Sequence, residues 1–239
     1  MPTSNNFIFA DLSTYEPQSS MDFYQAVFGW RYKREGNYYS AYKGNTLVSG
    51  LYETSDKFKA IGMPHFWMSY IQVDDLEATV ESAKSLGGII EMTESAAIGK
   101  VALIRDPLGA GFTVYQGSYL KNARTENKPD RLIWNELHVS NAEAVMPFYE
   151  AVLGWQFKRK GLNKYEIFSG KQHISDLHEI PNSLKGKYEY WACCFGVSDL
   201  EKTIDIVKDW GGKVIYDMGA NVMVTDNSGE AFIILSLIS

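Results

Sequence analysis

The chain has little cysteine, and its two cysteines are adjacent in sequence. Cys193 and Cys194 would point to opposite faces of a strand and could not join distant segments, which excludes a disulfide framework. A chain without structural disulfides is typical of a reducing compartment, so we expect a cytoplasmic protein. The opening residues, Met-Pro-Thr-Ser-Asn-Asn, have neither a basic start nor an apolar core, and no signal peptide is expected.

Long apolar runs and an excess of positive charge are also missing. No apolar run approaches the ~20 residues that a membrane helix needs, so we expect no membrane partner. The net charge of −6 argues against a nucleic-acid partner. Hydrophobic residues make up 45% of the chain and charged residues 22%, which are ordinary proportions for a globular protein.

What the sequence does contain is a repeat. Phe-Tyr-Gln-Ala-Val-Phe-Gly-Trp at 23–30 returns as Phe-Tyr-Glu-Ala-Val-Leu-Gly-Trp at 148–155, with six of the eight positions identical. A second pair of segments follows in the same order, since Val-Asp-Asp-Leu at 73–76 corresponds to Val-Ser-Asp-Leu at 197–200. Two such pairs in one register indicate a tandem duplication.

The duplication sets the predicted domain organisation. With 239 residues, each half is long enough to bury its own core. Residues 118–130 are polar and lack a hydrophobic period, so they are predicted to be a linker. We therefore predict a first domain at 1–117 and a second domain at 131–239.

Each half contains the pattern of two βαβββ units. In the first unit, a strand at 7–13 precedes a helix that Ser19 or Ser20 could cap and that Gly29 would end. Short strands separated by glycine follow, as expected for hairpins. The fold class is therefore predicted to be α+β, with four βαβββ modules paired into two domains. Each domain would be a curved mixed sheet that forms a cup with helices outside, and the inside of a cup is the usual place for a small ligand.

These landmarks resemble the vicinal oxygen chelate superfamily, which includes glyoxalase, bleomycin-resistance protein and extradiol dioxygenases. The Phe-Tyr-x-Ala-Val-x-Gly-Trp segment, the Val-Asp-Asp-Leu segment and the Asp-Pro-Leu-Gly turn at 106–109 fall in the family's order. The resemblance covers nearly the whole chain and is closest to tandem glyoxalase-like proteins. It implies glyoxalase-like domains, whose active members hold a divalent metal through His, Gln or Glu on the first and last strands.

The family's metal positions carry unsuitable side chains in this chain. The resemblance places three of them at Phe9, Met68 and Thr113 in the first half, and at Trp134, Ala192 and Ile233 in the second. It places the fourth near 49–52 and near 175–178. Divalent metals need several N, O or S donors in close geometry, which Phe, Met, Trp, Ala and Ile do not provide in the usual way. We therefore predict no metal and no other cofactor in either cup.

Two residues of the second half are predicted to be catalytic. Period-2 alternation places Trp134, Glu136 and His138 on one face of a strand, with Cys194 opposite them. Glu136 and His138 could form an acid–base pair, in which each shifts the pKa of the other. The alternative is that the two side chains only hydrogen-bond each other or the backbone at the end of the strand.

The remaining cup positions are predicted to bind the ligand. Asp11 with Tyr70 or Tyr115 could be a hydrogen-bonded cluster that orients the ligand, or simply a satisfied buried contact. The predicted ligand-binding residues are Phe9, Asp11, Ser13, Met68, Tyr70, Thr113 and Tyr115 in the first cup, and Trp134 and Cys194 in the second.

His173 and His178 give a further possibility. With Glu136, His138 and Glu179 they could form an atypical site for Zn, Fe or Mn. However, a spacing of five places the two histidines on opposite faces of a continuous strand, which argues against such a site.

We therefore expect a glyoxalase-like protein that binds a small molecule in a metal-free cup, with the reaction unassigned. The alternative is a metal-dependent lyase, isomerase or dioxygenase of the glyoxalase type with a displaced metal site. The aromatic content of 14% favours a flat or apolar ligand, which aromatic rings bind by stacking. The sequence is compatible with a monomer or a homodimer.

Overall fold

The computed structural model describes residues 5–96, 98–120, 123–125 and 128–238. The elements of the first half are β1 (Phe7–Thr14), α1 (Pro17–Phe28), β2 (Arg31–Glu35), β3 (Tyr38–Lys43), β4 (Thr46–Glu53), α2 (Asp56–Ala60), β5 (Phe66–Gln72), α3 (Leu76–Ser85), β6 (Ile89–Ala96), β7 (Gly99–Arg105) and β8 (Gly111–Gln116).

The second half repeats this order. Its elements are β9 (Arg131–Val139), α4 (Ala142–Leu153), β10 (Trp155–Arg159), β11 (Lys164–Ser169), β12 (Gln172–Glu179), α5 (Asn182–Lys185), β13 (Tyr190–Val197), α6 (Leu200–Asp209), β14 (Val214–Asp217), β15 (Asn221–Thr225) and β16 (Phe232–Leu237).

The strands form two eight-stranded mixed sheets of identical topology. The strand orders are β2-β3-β4-β1-β5-β8-β7-β6 and β10-β11-β12-β9-β13-β16-β15-β14. Within a module the first and last strands pair in parallel, as β9 does with β12, while the hairpin strands pair antiparallel. The predicted α+β class with four βαβββ modules is confirmed.

The helix boundaries follow from local chemistry, with one correction. Asp75 caps α3 by accepting a hydrogen bond from the backbone N–H of Ala78. Gly29 ends α1 in the left-handed conformation, with φ of 66°. The prediction that Ser19 or Ser20 caps α1 is wrong, because the helix begins at Pro17, whose fixed φ suits the first turn. Asn141 caps α4 in the way that Asp75 caps α3.

The chain divides into two compact units, each of which combines segments from both halves. The first unit comprises Met1–Ile8, Ser69–Asn122 and Asn135–Ala192. The second comprises Phe9–Met68, Ala123–Trp134 and Cys193–Ser239. The repeat boundaries predicted at 117 and 131 stay a prediction, and residues 121, 122, 126 and 127 of the linker lie outside the described residues.

The first unit has a hydrophobic core between modules from the two halves. Val80 and Ala83 of α3 and Phe148 of α4 belong to one buried cluster, and Phe112 packs edge-on against Phe148 with ring centroids 6.3 Å apart. The second unit has an equivalent cluster that joins α1 residues such as Phe28 to β13 residues such as Phe195. Burial of large aromatic side chains supplies most of the stabilisation in such clusters.

A buried tyrosine links three elements within each unit. In the first unit, the Tyr149 hydroxyl donates to Asp106 Oδ2 at 2.9 Å and accepts from Trp191 Nε1 at 2.9 Å. The Asp106 Oδ1 atom accepts backbone N–H bonds from Leu108, Gly109 and Ala110, which closes the turn before β8. The repeated Phe-Tyr, Trp and Asp-x-x-Gly landmarks therefore meet at one point.

The second unit contains the same arrangement. The Tyr24 hydroxyl donates to Asp226 Oδ2 at 3.4 Å and accepts from Trp67 Nε1 at 2.9 Å. The tyrosine of the repeated motif is therefore both a core residue and a hydrogen-bonding residue. Desolvation on burial is the main cause that raises the pKa of each tyrosine well above its usual range, and the charge of the neighbouring aspartate is the second. Both hydroxyls therefore stay protonated donors.

Among the residues that the structure describes, no helix combines the length and the apolar character needed to cross a bilayer.

Replacing the central tyrosine tests the arrangement. Tyr149→Phe leaves the Trp191 N–H and one Asp106 oxygen without their partner, and we expect a loss of about 2–3 kcal/mol in the free energy of unfolding. Tyr24→Phe should cost less, because its bond to Asp226 is the longer one. Urea denaturation measures both, with the exposed Tyr216→Phe as the control. Equal small effects from all three variants would contradict this account.

The Asp106 carboxyl predicts a pH dependence of stability. Desolvation raises its pKa to about 6, although hydrogen bonds from Tyr149 and the turn backbone act in the opposite direction. The folded chain thus binds this proton more tightly than the unfolded chain. The resulting stabilisation is full below the ordinary pKa near 4 and is lost as the pH rises through about 6, at a total of about 2–3 kcal/mol.

Urea unfolding of wild type and Asp106→Asn across pH 4.5 to 7.5 measures this contribution. The difference in stability between the two proteins should shrink as the pH rises, because only the wild type loses the proton. Glu94→Gln, at an exposed position of β6 in the same unit, is the control and should leave the slope unchanged. A difference that is independent of pH would show that Asp106 does not titrate in this range.

Candidate functional site

Strand β9 presents polar side chains on the face opposite helix α4. Leu137 and Val139 belong to the hydrophobic cluster that includes α4 residues. Glu136 and His138 alternate with them and therefore point to the other face. Both are buried, with 8% and 3% of their surface exposed.

The predicted pair is hydrogen-bonded in the structure and extends to a third residue. The His138 Nε2 atom lies 3.0 Å from Glu136 Oε2, and its Nδ1 atom lies 3.0 Å from the Tyr190 hydroxyl on β13. An ionised carboxylate can only accept, so His138 donates to Glu136 from Nε2. Both ring nitrogens are therefore occupied, and the imidazole is fixed in orientation.

Strand β12 adds an acid and a second imidazole to this face. It runs parallel to β9, with Asp176 opposite Glu136 and His178 opposite His138. The His178 Nε2 atom lies 3.6 Å from Glu136 Oε2, and the two histidine rings have centroids 5.5 Å apart. Although buried, His178 Nε2 has no hydrogen-bond partner in the described part of the chain.

A β-bulge brings His173 to the same acid. The register between β11 and β12 shifts so that Ile167 pairs with Ser175 while Phe168 pairs with His173. His173 Nε2 then lies 3.2 Å from Asp176 Oδ1. The prediction that the spacing of five separates the two histidines assumed a continuous strand, and it is wrong because the bulge adds a residue to β12.

The charges around Glu136 hold it in the ionised form. Burial alone would raise its pKa, but the hydrogen bond from His138 and the potential of His138, His178 and Lys164 outweigh burial, and the pKa is lowered. Burial lowers the pKa of His178, despite the opposing charge of Glu136, and this favours the neutral imidazole. Desolvation raises the pKa of Tyr190, so its hydroxyl stays a donor.

Lysines and acids alternate on the outer part of the same face. Lys164 Nζ lies 3.4 Å from Asp176 Oδ2, and Lys160 Nζ lies 2.7 Å from Glu166 Oε1. Lys160 is exposed and Lys164 is partly exposed, so these pairs contribute little to stability.

The first half carries different side chains at the equivalent positions. Asp11 replaces Glu136 and is opposite Gly50 on β4, where the second half has Asp176. The Tyr38 hydroxyl donates to Asp11 Oδ2 at 3.1 Å and occupies the space where a Cβ atom at Gly50 would lie. Tyr52 stacks on Tyr38 with ring centroids 6.3 Å apart. This face is therefore filled by two tyrosines.

The other predicted residues vary in accessibility. Ser13 is buried and shares a hydrogen bond of 2.9 Å with Thr54. The Tyr115 hydroxyl donates to the Ile98 carbonyl and accepts backbone N–H bonds from Tyr119 and Leu120. Four more of the predicted residues are buried, namely Phe9, Met68, Thr113 and Cys194. Two are partly exposed, namely Tyr70 and Trp134. The Arg124 guanidinium lies 4.5 Å from the centroid of the Trp134 ring.

The metal positions that the family resemblance implies do not fit an ion. Phe9, Ala192 and Ile233 are almost fully buried and carry no donor atom. Divalent ions need several donors at about 2.0–2.5 Å, which these side chains do not supply. A metal held at those positions is therefore not supported by the residues present.

Comparison with known proteins identifies the family. The model of the Glyoxalase/Bleomycin resistance protein/Dioxygenase superfamily matches residues 9–114 and 131–230, and the chain belongs to this superfamily. Both halves are matched, in agreement with the repeated modules.

Two relatives match over most of their length. The putative glyoxylase CFP32 of Mycobacterium tuberculosis is 28% identical over 95% of this chain and 93% of its own. The anthracycline biosynthesis protein DnrV of Streptomyces peucetius is 25% identical over 95% of this chain and 91% of its own.

Solved structures show the same fold. The 2,3-dioxygenase LapB from Pseudomonas sp. KL28 matches with a TM-score of 0.66 at 13% identity, over 98% of this chain and 93% of its own. The Mn(II)-bound glyoxalase from Novosphingobium aromaticivorans matches with a TM-score of 0.67 at 13% identity, over 98% of this chain and 82% of its own.

Removing the Tyr190 hydroxyl tests how His138 is held. Tyr190→Phe leaves His138 Nδ1 without its partner, and we expect a loss of about 1–2 kcal/mol in the free energy of unfolding, together with shifted His138 ring resonances. Urea denaturation and NMR of the histidine ring protons measure the two effects. The exposed Tyr188→Phe is the matched control. Unchanged His138 resonances in Tyr190→Phe would mean that the bond does not form in solution.

Proposed function

We propose that the chain binds a small organic molecule on the face of β9, β12 and β13 that carries Glu136, His138 and Tyr190, with the reaction unassigned. The observation that supports this most is the hydrogen-bonded chain from Glu136 through His138 to Tyr190, on the sheet face opposite the hydrophobic core. Such a chain presents an oriented carboxylate, which suits hydroxyl or amine donors on a ligand.

In this proposal the two halves have different roles. In the first half, Phe9, Asp11, Ser13 and Met68 are proposed to contact a ligand only weakly, because Tyr38 and Tyr52 fill that face. Tyr70, Thr113 and Tyr115 lie in the other compact unit and stay predicted ligand-binding residues.

In the second half, Glu136 is proposed to contact the ligand, and His138, whose two ring nitrogens are already bonded, holds the Glu136 carboxylate in place. Trp134 and Cys194 lie in the other compact unit and stay predicted ligand-binding residues. Trp134 is partly exposed, as a stacking surface for a flat ligand requires.

The second candidate is a glyoxalase-type lyase, isomerase or dioxygenase. It is favoured by relatives described as a putative glyoxylase and a probable lactoylglutathione lyase, the latter 28% identical over 66% of this chain. In this candidate Glu136 accepts a proton from the substrate, while His138, held by Tyr190, keeps the carboxylate in place. Turnover of a substrate distinguishes this candidate from binding alone.

Three probes test the binding proposal: S-lactoylglutathione, 2,2′,3-trihydroxybiphenyl and an anthracycline. Each represents a ligand class suggested by the names of relatives or solved neighbours. Binding is measured by calorimetry and by shifts of backbone amide resonances, and turnover by product analysis. We expect at least one probe to bind and to shift resonances of β9, β12 and β13.

Substitutions then locate the bound probe. Glu136→Gln and His138→Ala should each weaken binding about tenfold or more, because a hydrogen bond to a charged group contributes about 1.5–3 kcal/mol. Asp11→Asn, the equivalent change in the first half, should leave affinity unchanged. Equal losses for Glu136→Gln and Asp11→Asn would place the ligand elsewhere. The expectations of a cytoplasmic location and of a monomer or homodimer stay predictions.

A further inference from the structure

Strand β14 forms one edge of its sheet and belongs to the second compact unit. It pairs with β15 on one side, and no strand pairs with its other side among the residues that the structure describes. A bulge leaves Ile215 without a residue opposite it on β15. The unpaired N–H and C=O groups of such an edge are a template for the addition of another strand.

Apolar side chains are exposed along this edge. The six residues concerned, which we call the β14 patch, are Trp210, Val214, Ile215, Tyr216, Met218 and Leu237. Between 38% and 56% of each residue is exposed. Leu237 is included because its N–H donates to the carbonyl of Ala220, in the turn that follows β14. Six large side chains exposed to this extent present roughly 500 Å² of apolar surface, which is at the upper end of the patches found on monomers.

The other three sheet edges carry more charge. Their exposed charged residues include Arg31, Lys33 and Arg34 on β2, Lys158 and Arg159 on β10, and Glu94 on β6. The sequence of β14 is Val-Ile-Tyr-Asp, with one acid at its end. Charged side chains on an edge strand prevent the edges of two molecules from associating. Strand β14 is therefore the edge with the least protection of this kind.

We propose that β14 binds β14 of a second copy of this chain, in antiparallel orientation about a two-fold axis. In such a pair the same patch meets itself, so the assembly closes at two copies. The orientation also places the end of β14 that carries Lys213 beside the end of the partner strand that carries Asp217, and this happens twice. Both side chains are exposed. A parallel pair would place like charges side by side, which is unfavourable.

The size of the β14 patch sets the expected strength of the dimer. A standard stable interface buries about 800 Å² on each partner, whereas the patch offers roughly 500 Å² of apolar surface. Backbone hydrogen bonds between the two strands specify the orientation more than they add area. We therefore expect a reversible dimer with a Kd on the order of 10 μM.

The oligomeric state of the full chain tests the proposal. Sedimentation velocity and native mass spectrometry are recorded between about 1 and 300 μM protein, a range that brackets the expected Kd. We expect a monomer at the lowest concentration and a dimer at the highest. A chain that stays monomeric throughout this range overturns the proposal, and so does growth beyond two copies, because a two-fold pair is closed.

A lysine on the edge strand locates the interface. Ile215→Lys should weaken the dimer at least tenfold, because it introduces the kind of charge that the other edges carry. Ile89→Lys, on edge strand β6 of the first unit, is the matched control, since Ile89 and Ile215 are 48% and 46% exposed. Tyr216→Phe keeps the apolar ring and should form dimers like the wild type.

Circular dichroism confirms that each variant is folded, and Met218→Lys replaces Ile215→Lys if that variant is not. An unchanged dimer in the folded β14 lysine variant overturns the proposal. Equal weakening by Ile89→Lys also overturns it, because the loss would then come from the added charge and not from its position on β14.

Charge reversal tests the orientation of the two strands. Lys213→Glu and Asp217→Lys should each weaken the dimer about threefold or more at low salt, because each brings like charges together. The double variant restores the opposite charges in an antiparallel pair and should recover most of the wild-type affinity. If the double variant is weaker than either single variant, antiparallel pairing through β14 is rejected.

The dimer goes beyond the proposed function and is measured without an organic probe. If the chain dimerises through β14 but binds no probe, the dimer stands and the proposed function is rejected. If a probe binds through Glu136 but the chain stays monomeric, the proposed function stands and the dimer is rejected.

Discussion

The structure depends on a tyrosine hydroxyl that is buried between a tryptophan and an aspartate. In the first unit, Tyr149 fixes helix α4 against the Asp106 turn and against Trp191 of β13 at the same time. Each of these groups would be costly to bury alone, and the hydroxyl satisfies both. The second unit repeats the arrangement with Tyr24, so the same tryptophan–tyrosine–aspartate hydrogen bonds occur at equivalent positions of both units.

With the helix face fixed in this way, the opposite sheet face can vary. The second half carries Glu136, His138 and His178 there, while the first carries Asp11, Tyr38 and Tyr52. Both halves keep the backbone register, since in the first module of each half a serine on the last strand donates to the equivalent carbonyl of the first strand. The difference between the two faces is therefore one of side chains, and site chemistry has diverged on a common backbone.

Much of the fold could be predicted from local signals. The repeated motif located the helices, Asp75 and Gly29 marked a helix start and a helix end, and alternation placed Glu136 and His138 on one face. Their mutual hydrogen bond follows from that spacing, because residues two apart on a strand are neighbours.

The rest of the site depends on register between strands, which a single sequence does not reveal. Asp176 lies beside Glu136 only because β12 pairs in parallel with β9. The bulge that shifts His173 contains no glycine or proline from which it could be predicted. Tyr38 of β3 reaches Asp11 of β1 across the one intervening strand, β4, for the same reason. The core packing between modules of different halves is likewise a long-range property, and composition gave no sign of it.

Each compact unit combines segments from both halves, and this has a consequence for cleavage of the chain between the halves. Residues 1–117 contain Asp106 but not Tyr149, and they contain Tyr24 but not Asp226. Neither half therefore holds a complete tyrosine–aspartate bond, and a protease that severs the connecting segment would leave two fragments, each of which completes the core of the other. Fragments of this kind are suited to complementation, in which two separately produced pieces recover the native assembly only when they are mixed.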